Sequence, residues 1–179
     1  MEEFTKTKNQ IKEVVKICRG LFEKKLEDYG TSWRIMRASS VTDQIMIKAR
    51  RIRSLQEKGG ARINEKEDSE FIGIVNYCVI GLIQLEKGSG DPISNQEALK
   101  LYDFYIDKSL NLMSDKNHDY DEAWRDMRIS SITDIILQKI LRTQEIEDHC
   151  GKTIVSEGID ANYMDMINYS IFSLIKLLF

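Results

Sequence analysis

A block in the first half of the chain returns 91 positions later, and no other feature restricts the fold as strongly. Residues 25–51 align without gaps on residues 116–142, with about half of the positions identical. The retained pairs include Lys25/Lys116, Asp28/Asp119, Tyr29/Tyr120, Trp33/Trp124, Arg34/Arg125, Met36/Met127, Thr42/Thr133, Lys48/Lys139 and Arg51/Arg142. A duplication acts as an internal filter, because it shows what two copies of one ancestor both kept. Packing alone preserves apolarity; these copies preserved polar and aromatic residues.

Each copy reads as three helices. Ile11, Val14, Val15, Cys18, Leu21 and Phe22 recur at helical spacing over 3–28, with a counterpart over 95–117. Helices at 41–57 and 132–147 are expected to start on Ser40-x-x-Asp43 and Ser131-x-x-Asp134, relatives of the capping box. The last helices, 66–86 and 158–178, are apolar nearly all round, which predicts a central position in a bundle. Between the copies the offset shifts to 92 before these helices, pairing Asn76 with Asn168 and Tyr77 with Tyr169. The single proline, Pro92, lies in the Gly/Ser-rich segment 89–94, which divides a first repeat (1–88) from a second (95–179). No alternating strand pattern competes, so the fold class is all-α, two tandem three-helix repeats.

Bulk properties narrow the partners. A net charge of −3 argues against a general nucleic-acid binder. Cys18, Cys78 and Cys150 are widely spaced and odd in number, as expected for reduced thiols in a cytoplasmic protein. The amino-terminal stretch is polar and mixed in charge, unlike a signal peptide, and no uninterrupted apolar run predicts a membrane span.

The long apolar helices carry the first candidate site. Asn76 and Asn168 interrupt them, where an amide is costly unless hydrogen-bonded. Glu65 precedes Asn76 by eleven residues, as Glu157 precedes Asn168, close to three helical turns. Asp68 and Asp160 lie near the same stripe, and Asp165 adds a carboxylate where the first copy has Gly73. Converging carboxylates beside an amide suit Mg²⁺, a hard cation that bridges to phosphate; the alternative is acids decorating a helix amino terminus. The second set is cationic: Lys25 with Asp28, Lys116 with Asp119, Arg34, Arg125, and the pairs Lys48/Arg51 and Lys139/Arg142, each three apart on one helix face. They form either a salt-bridge network or a wall that holds phosphate oxygens. Trp33 and Trp124 are core plugs or platforms for a base.

The run Asp28-Tyr29-Gly-x-Ser32-Trp33-Arg34, the Lys48-x-x-Arg51 helix and the Ile74-Val-Asn-Tyr77 stretch resemble the nucleotide-modification-associated domain, type one, over nearly the whole chain and twice. That family is similar in turn to the MazG-like all-α nucleoside triphosphate pyrophosphohydrolases. The resemblance implies Mg²⁺ held by Glu65, Asp68, Glu157 and Asp160, with Asp165 an added candidate ligand in the second copy, a metal-activated water attacking phosphorus, and cations holding the phosphate chain. It also implies that two fused repeats form one bundle, with the helices around Asn76 and Asn168 packed about a pseudo-twofold axis. The E-x-x-E motif of a partner helix has no repeated counterpart here; positions 47 and 138 are isoleucine and glutamine. Three readings follow: a Mg²⁺-dependent phosphohydrolase, a module that binds a nucleotide or other phosphorylated small molecule without cleaving it, or a purely structural helical bundle, which the polar character of the repeated residues disfavours. A membrane partner is not expected, and a homo-oligomer is compatible with each reading.

Overall fold

The computed structural model describes residues 2–59, 67–120 and 122–179, with backbone alone for 2–5 and 115–120. Among these residues the structure is entirely helical: α1 (Glu2–Tyr29), α2 (Ala38–Lys58), α3 (Glu67–Lys87), α4 (Asn95–Tyr120), α5 (Ile129–Asp148) and α6 (Ile159–Leu178). Short 3₁₀ turns at Ser32–Ile35 and Ala123–Asp126 join α1 to α2 and α4 to α5.

The expected helices are all present, but the middle pair starts earlier than the serine motifs predict. Arg37 and Arg128 take the extended N-cap position without a side-chain cap. Ser40 and Ser131 then lie in the first turn, donating their N–H groups to Arg37 and Arg128 carbonyls at 3.0 Å each. The preceding 3₁₀ turn dictates this entry, because its buried tryptophan sets the path of the chain before any serine can cap. Upstream, Gly30 (φ +62°) terminates α1 in the left-handed conformation that glycine adopts without steric cost.

The repeats are interlocked about a pseudo-twofold axis. Helix α3 packs on α6 and α2 on α5, as a twofold requires of equivalent elements; α1 reaches α6 just as α4 reaches α3. Side chains repeat the symmetry. The Thr42 hydroxyl meets Glu147 at 2.7 Å across the repeats, and Gln56 donates to the Thr133 hydroxyl at 3.1 Å, with Gln56 and Glu147 at equivalent positions. Thr42 also pairs with the Tyr163 hydroxyl at 2.6 Å; the equivalent of Tyr163 is the fully buried Phe71.

Helices α3 and α6 are apolar nearly all round because neighbours cover them on several sides. Phe71, Ile74, Val75, Cys78, Val79 and Ile83 of α3, and Tyr163, Met166, Ile167, Ile171 and Leu174 of α6, are fully buried. Each such side chain contributes on the order of 1.5–3 kcal/mol through removal from water. Helix α3 is long and apolar enough to cross a membrane by length and composition, yet two-thirds of that stretch (67%) is buried inside the fold, as in a core helix.

Glu147 gives one measurable consequence of the symmetry. Burial holds its carboxyl above the ordinary value of 4.5, the charges of Asp43 and Asp148 add to this, and the Thr42 hydroxyl opposes it. A folded pKa above the unfolded one favours the protonated form in the fold. The contribution is therefore present below the unfolded pKa and is lost as pH rises through the folded value. Glu147→Gln, which copies the Gln56 arrangement, should raise the urea midpoint relative to wild type at pH 7 and leave it nearly unchanged at pH 4. Equal differences at both pH values would remove Glu147 as the titrating group.

Candidate functional site

The same pocket is built twice. In each repeat, the first helix ends, a 3₁₀ turn drops a tryptophan into the interior, and the last helix presents an asparagine followed by a tyrosine. Trp33 and Trp124 are buried, and neither indole N–H has a hydrogen-bond partner among the described residues. The first cavity, about 330 Å³, is walled by Lys25, Tyr29, Trp33, Met36, Gly73, Asn76, Tyr77 and Ile80. The second, about 390 Å³, is walled by Trp124, Met127, Lys139, Glu157, Asp165, Asn168, Tyr169 and Phe172. Trp, Met, Asn and Tyr occupy equivalent places in both.

The asparagines are oriented alike. Asn76 Nδ2 donates to the Cys18 carbonyl at 3.1 Å, and Asn168 Nδ2 to the Ser109 carbonyl at 2.9 Å. Their oxygens differ. Asn76 Oδ1 accepts from the Tyr102 hydroxyl at 2.8 Å, whereas Asn168 Oδ1 has no partner among the described residues. Burial, above all, holds the Tyr102 phenol far above its ordinary value, so it remains a neutral donor.

The lysines are placed alike but paired differently. Lys48 Nζ lies 3.2 Å from Glu70, which also takes Arg51 at 3.0 Å. Lys139 Nζ lies 2.6 Å from Asp165. Glu70 corresponds to Asn162, and Asp165 to Gly73, so the acid has moved by one turn on the same helix face. Lys48 folds across the space that a side chain at 73 would occupy: a Cβ added at Gly73 would lie 2.6 Å from Lys48 Cε.

A family model described as nucleotide modification associated domain 1 matches residues 25–85 and 116–177. The chain belongs to that family, in two tandem copies. No curated protein and no solved structure gives a significant match.

Within this tandem nucleotide modification associated domain, several sequence candidates lie on the pocket walls: Lys25, Trp33 and Asn76 in the first copy, Trp124, Lys139, Glu157, Asp165 and Asn168 in the second. Others do not. Arg34 is buried, donating to the Gln84 side chain and, at 2.6 Å, to the Gly88 carbonyl. Arg125 lies 4.4 Å from the Trp124 ring centroid and bonds Glu122 at 2.6 Å, with Thr7 and Gln10 also accepting from it. Both arginines secure their turns. Lys48 and Arg51 reach the ion pairs on Glu70, Asp28 is exposed away from the cavity, and Arg142 is exposed along a separate groove of α5. Glu65 lies outside the described residues, as do the side chains of Lys116 and Asp119.

The described residues hold only part of the expected metal-ligand set, since Glu65 lies outside them. No three Asp, Glu, His or Cys side chains are grouped to hold an ion among these residues. Asp68 accepts the neighbouring Ser69 N–H at 2.8 Å, and Asp160 is exposed at the start of α6. Among the described residues the first pocket presents no carboxylate and the second presents two, one of them already against Lys139; Glu65, the counterpart of Glu157, lies outside these residues. Mg²⁺ wants near-octahedral oxygen donors. These residues do not fit it, so no chemical step is derived through a metal.

Gln84 and Glu70 were missed by sequence reasoning, since the filter demanded identity between copies. The signal available for Gln84 was a second buried amide in an apolar helix. It accepts from Arg34 and donates to the Arg34 carbonyl at 3.0 Å and the Met36 carbonyl. Its equivalent, Lys176, donates to the Arg125 carbonyl.

The shifted ion pairs can be compared energetically. Double-mutant cycles at Lys48–Glu70 and Lys139–Asp165 should give the larger coupling in the second repeat, on the order of 1–2 kcal/mol. There the lysine side chain is 13% exposed rather than 26%, and screening is weaker. Equal couplings would show that burial does not set the difference.

Proposed function

We propose that the chain is a nucleotide-binding module that takes a nucleotide or a related phosphorylated small molecule in its two repeat-related pockets. The observation that carries this reading is the same constellation built twice, a buried indole, a helix asparagine with its amide fixed and a tyrosine around a cavity of ligand size, with a lysine on each wall from non-equivalent positions, Lys25 in the first and Lys139 in the second. Sites for small molecules are mostly apolar cavities of roughly 300–1,000 Å³ with a few convergent polar groups. A base stacked on an aromatic side chain gains about 1–3 kcal/mol. A lysine ammonium supplies a point charge for a phosphate, and Lys25 stands exposed at the rim of the first pocket.

Glu157 and Asp165 on the wall of the second pocket favour a second reading, nucleoside triphosphate pyrophosphohydrolysis as in the MazG-like enzymes. Binding is preferred because the described carboxylates do not converge. A panel of NTPs, dNTPs and monophosphates, with and without Mg²⁺, separates the readings when thermal shift and pyrophosphate release are followed together. Shift without release is the expected result. Release that disappears in Glu157→Gln would establish hydrolysis instead, and no shift with any nucleotide would sink the binding reading.

A further inference from the structure

Divergence between the pockets points to the chemistry that the second one reads. The pseudo-twofold pairs Tyr102 with Ile11, at the 91-residue offset that also relates Cys18 to Ser109. In the first repeat the Tyr102 phenol satisfies the asparagine oxygen. In the second, the symmetry puts Ile11, with no polar atom to offer, at the corresponding place, and Asn168 Oδ1 has no partner among the described residues although the residue is only 5% exposed. An orphaned buried carbonyl costs on the order of 1–3 kcal/mol. The Trp124 N–H, also buried and without a partner among the described residues, belongs to a residue of the same cavity wall.

Resting on the nucleotide-binding reading, we propose that the second pocket is the specificity pocket and recognises the hydrogen-bonding edge of a nucleobase. One Nδ2 hydrogen of Asn168 is committed to the Ser109 carbonyl, which fixes the amide and leaves its oxygen as the atom without a partner among the described residues. The ligand must supply an N–H there, from a ring imide or an exocyclic amine. The Trp124 N–H requires an acceptor from the same ligand. A group offering both a donor and an acceptor on one planar edge is a nucleobase rather than a bare phosphate chain. The wall of this pocket is aromatic: Trp124 stacks parallel on Phe172 at 4.4 Å between centroids, and Tyr169 meets Phe172 edge-on at 6.2 Å. In the first pocket the Tyr102 phenol already occupies the equivalent acceptor, so that pocket lacks this readout.

The swap Ile11→Tyr tests the assignment, since it offers Asn168 the phenol that Asn76 already has. Its partner variant is Tyr102→Phe, which frees Asn76. Binding of the common ribonucleosides, deoxynucleosides and their monophosphates is measured by calorimetry. In a Trp33→Phe background, Trp124 fluorescence serves as a second readout. At least one unphosphorylated nucleoside should bind and quench Trp124, with affinity falling at least tenfold in Ile11→Tyr and changing less than threefold in Tyr102→Phe. Circular dichroism and melting of Ile11→Tyr confirm that its fold persists; should it unfold, Asn168→Asp, which keeps an acceptor but adds charge, must alter the preference among bases. Nucleotides that bind equally well to wild type and Ile11→Tyr, or binding matched by inorganic pyrophosphate alone, would overturn this inference while leaving nucleotide binding intact. Absence of binding by every nucleoside and nucleotide would overturn both.

Discussion

Gln84→Leu is expected to destabilise the chain by about 3–5 kcal/mol, measured as a shift in urea unfolding. Leucine matches the volume but removes an acceptor from the buried Arg34 guanidinium and a donor from the Arg34 and Met36 carbonyls. Each desolvated group left without a partner costs about 1–3 kcal/mol, and more when charged. Arg34 retains the Gly88 carbonyl, so the loss is partial. The equivalent change in the second repeat, Lys176→Met, should cost only about 1 kcal/mol, the net worth of one hydrogen bond, because Lys176 is half-buried near the chain end and makes one bond to the turn. Comparable losses at the two positions would refute the claim that Gln84 organises the first turn.

Gly81→Leu is the second large effect, about 3 kcal/mol, the upper end for overpacking a well-packed interior. A Cβ at position 81 would lie 2.8 Å from Tyr163 Cε2 and Cζ. Tyr163 is fully buried, and its hydroxyl is held by Thr42 at 2.6 Å and the Ala38 carbonyl at 3.2 Å, so the ring has nowhere to retreat. Position 73 in the same helix makes the control. There an added Cβ meets the far end of the flexible Lys48 side chain, Cδ, Cε and Nζ, and the better helix propensity of alanine, about 1 kcal/mol over glycine, offsets the adjustment. Gly73→Ala should therefore be nearly neutral by urea unfolding. Equal costs at 73 and 81 would show that the α3–α6 crossing is not the constraint.

Much of the fold was legible because helix formation and burial leave periodic traces. The six helices and the centrality of α3 and α6 followed from apolar spacing and from one repeat seen twice. The helix entries at Ala38 and Ile129 were not legible, since the buried tryptophan turn rather than a serine cap sets them. The candidate site was legible where both copies kept one residue in one role, as at Trp33/Trp124 and Asn76/Asn168. It was obscured where identity and role parted. Arg34 and Arg125 are retained for holding turns, while the partner of the shared lysine is Glu70 in one copy and Asp165 in the other. A residue-by-residue comparison cannot see that two positions one turn apart serve the same cation.

By itself the sequence determined the helical class, the duplication, the family and the aromatic and amide residues at the heart of each repeat. Those properties depend on local periodicity and on identities that survive in the chain. Tertiary structure alone decided which polar atoms are satisfied. Asn76 and Asn168 are identical in sequence and point their amides at equivalent carbonyls, yet among the described residues only Asn76 is completed, by a tyrosine of the opposite repeat. That hydrogen bond crosses the pseudo-twofold axis, and its energy depends on a distance of a few ångströms between residues far apart in the chain.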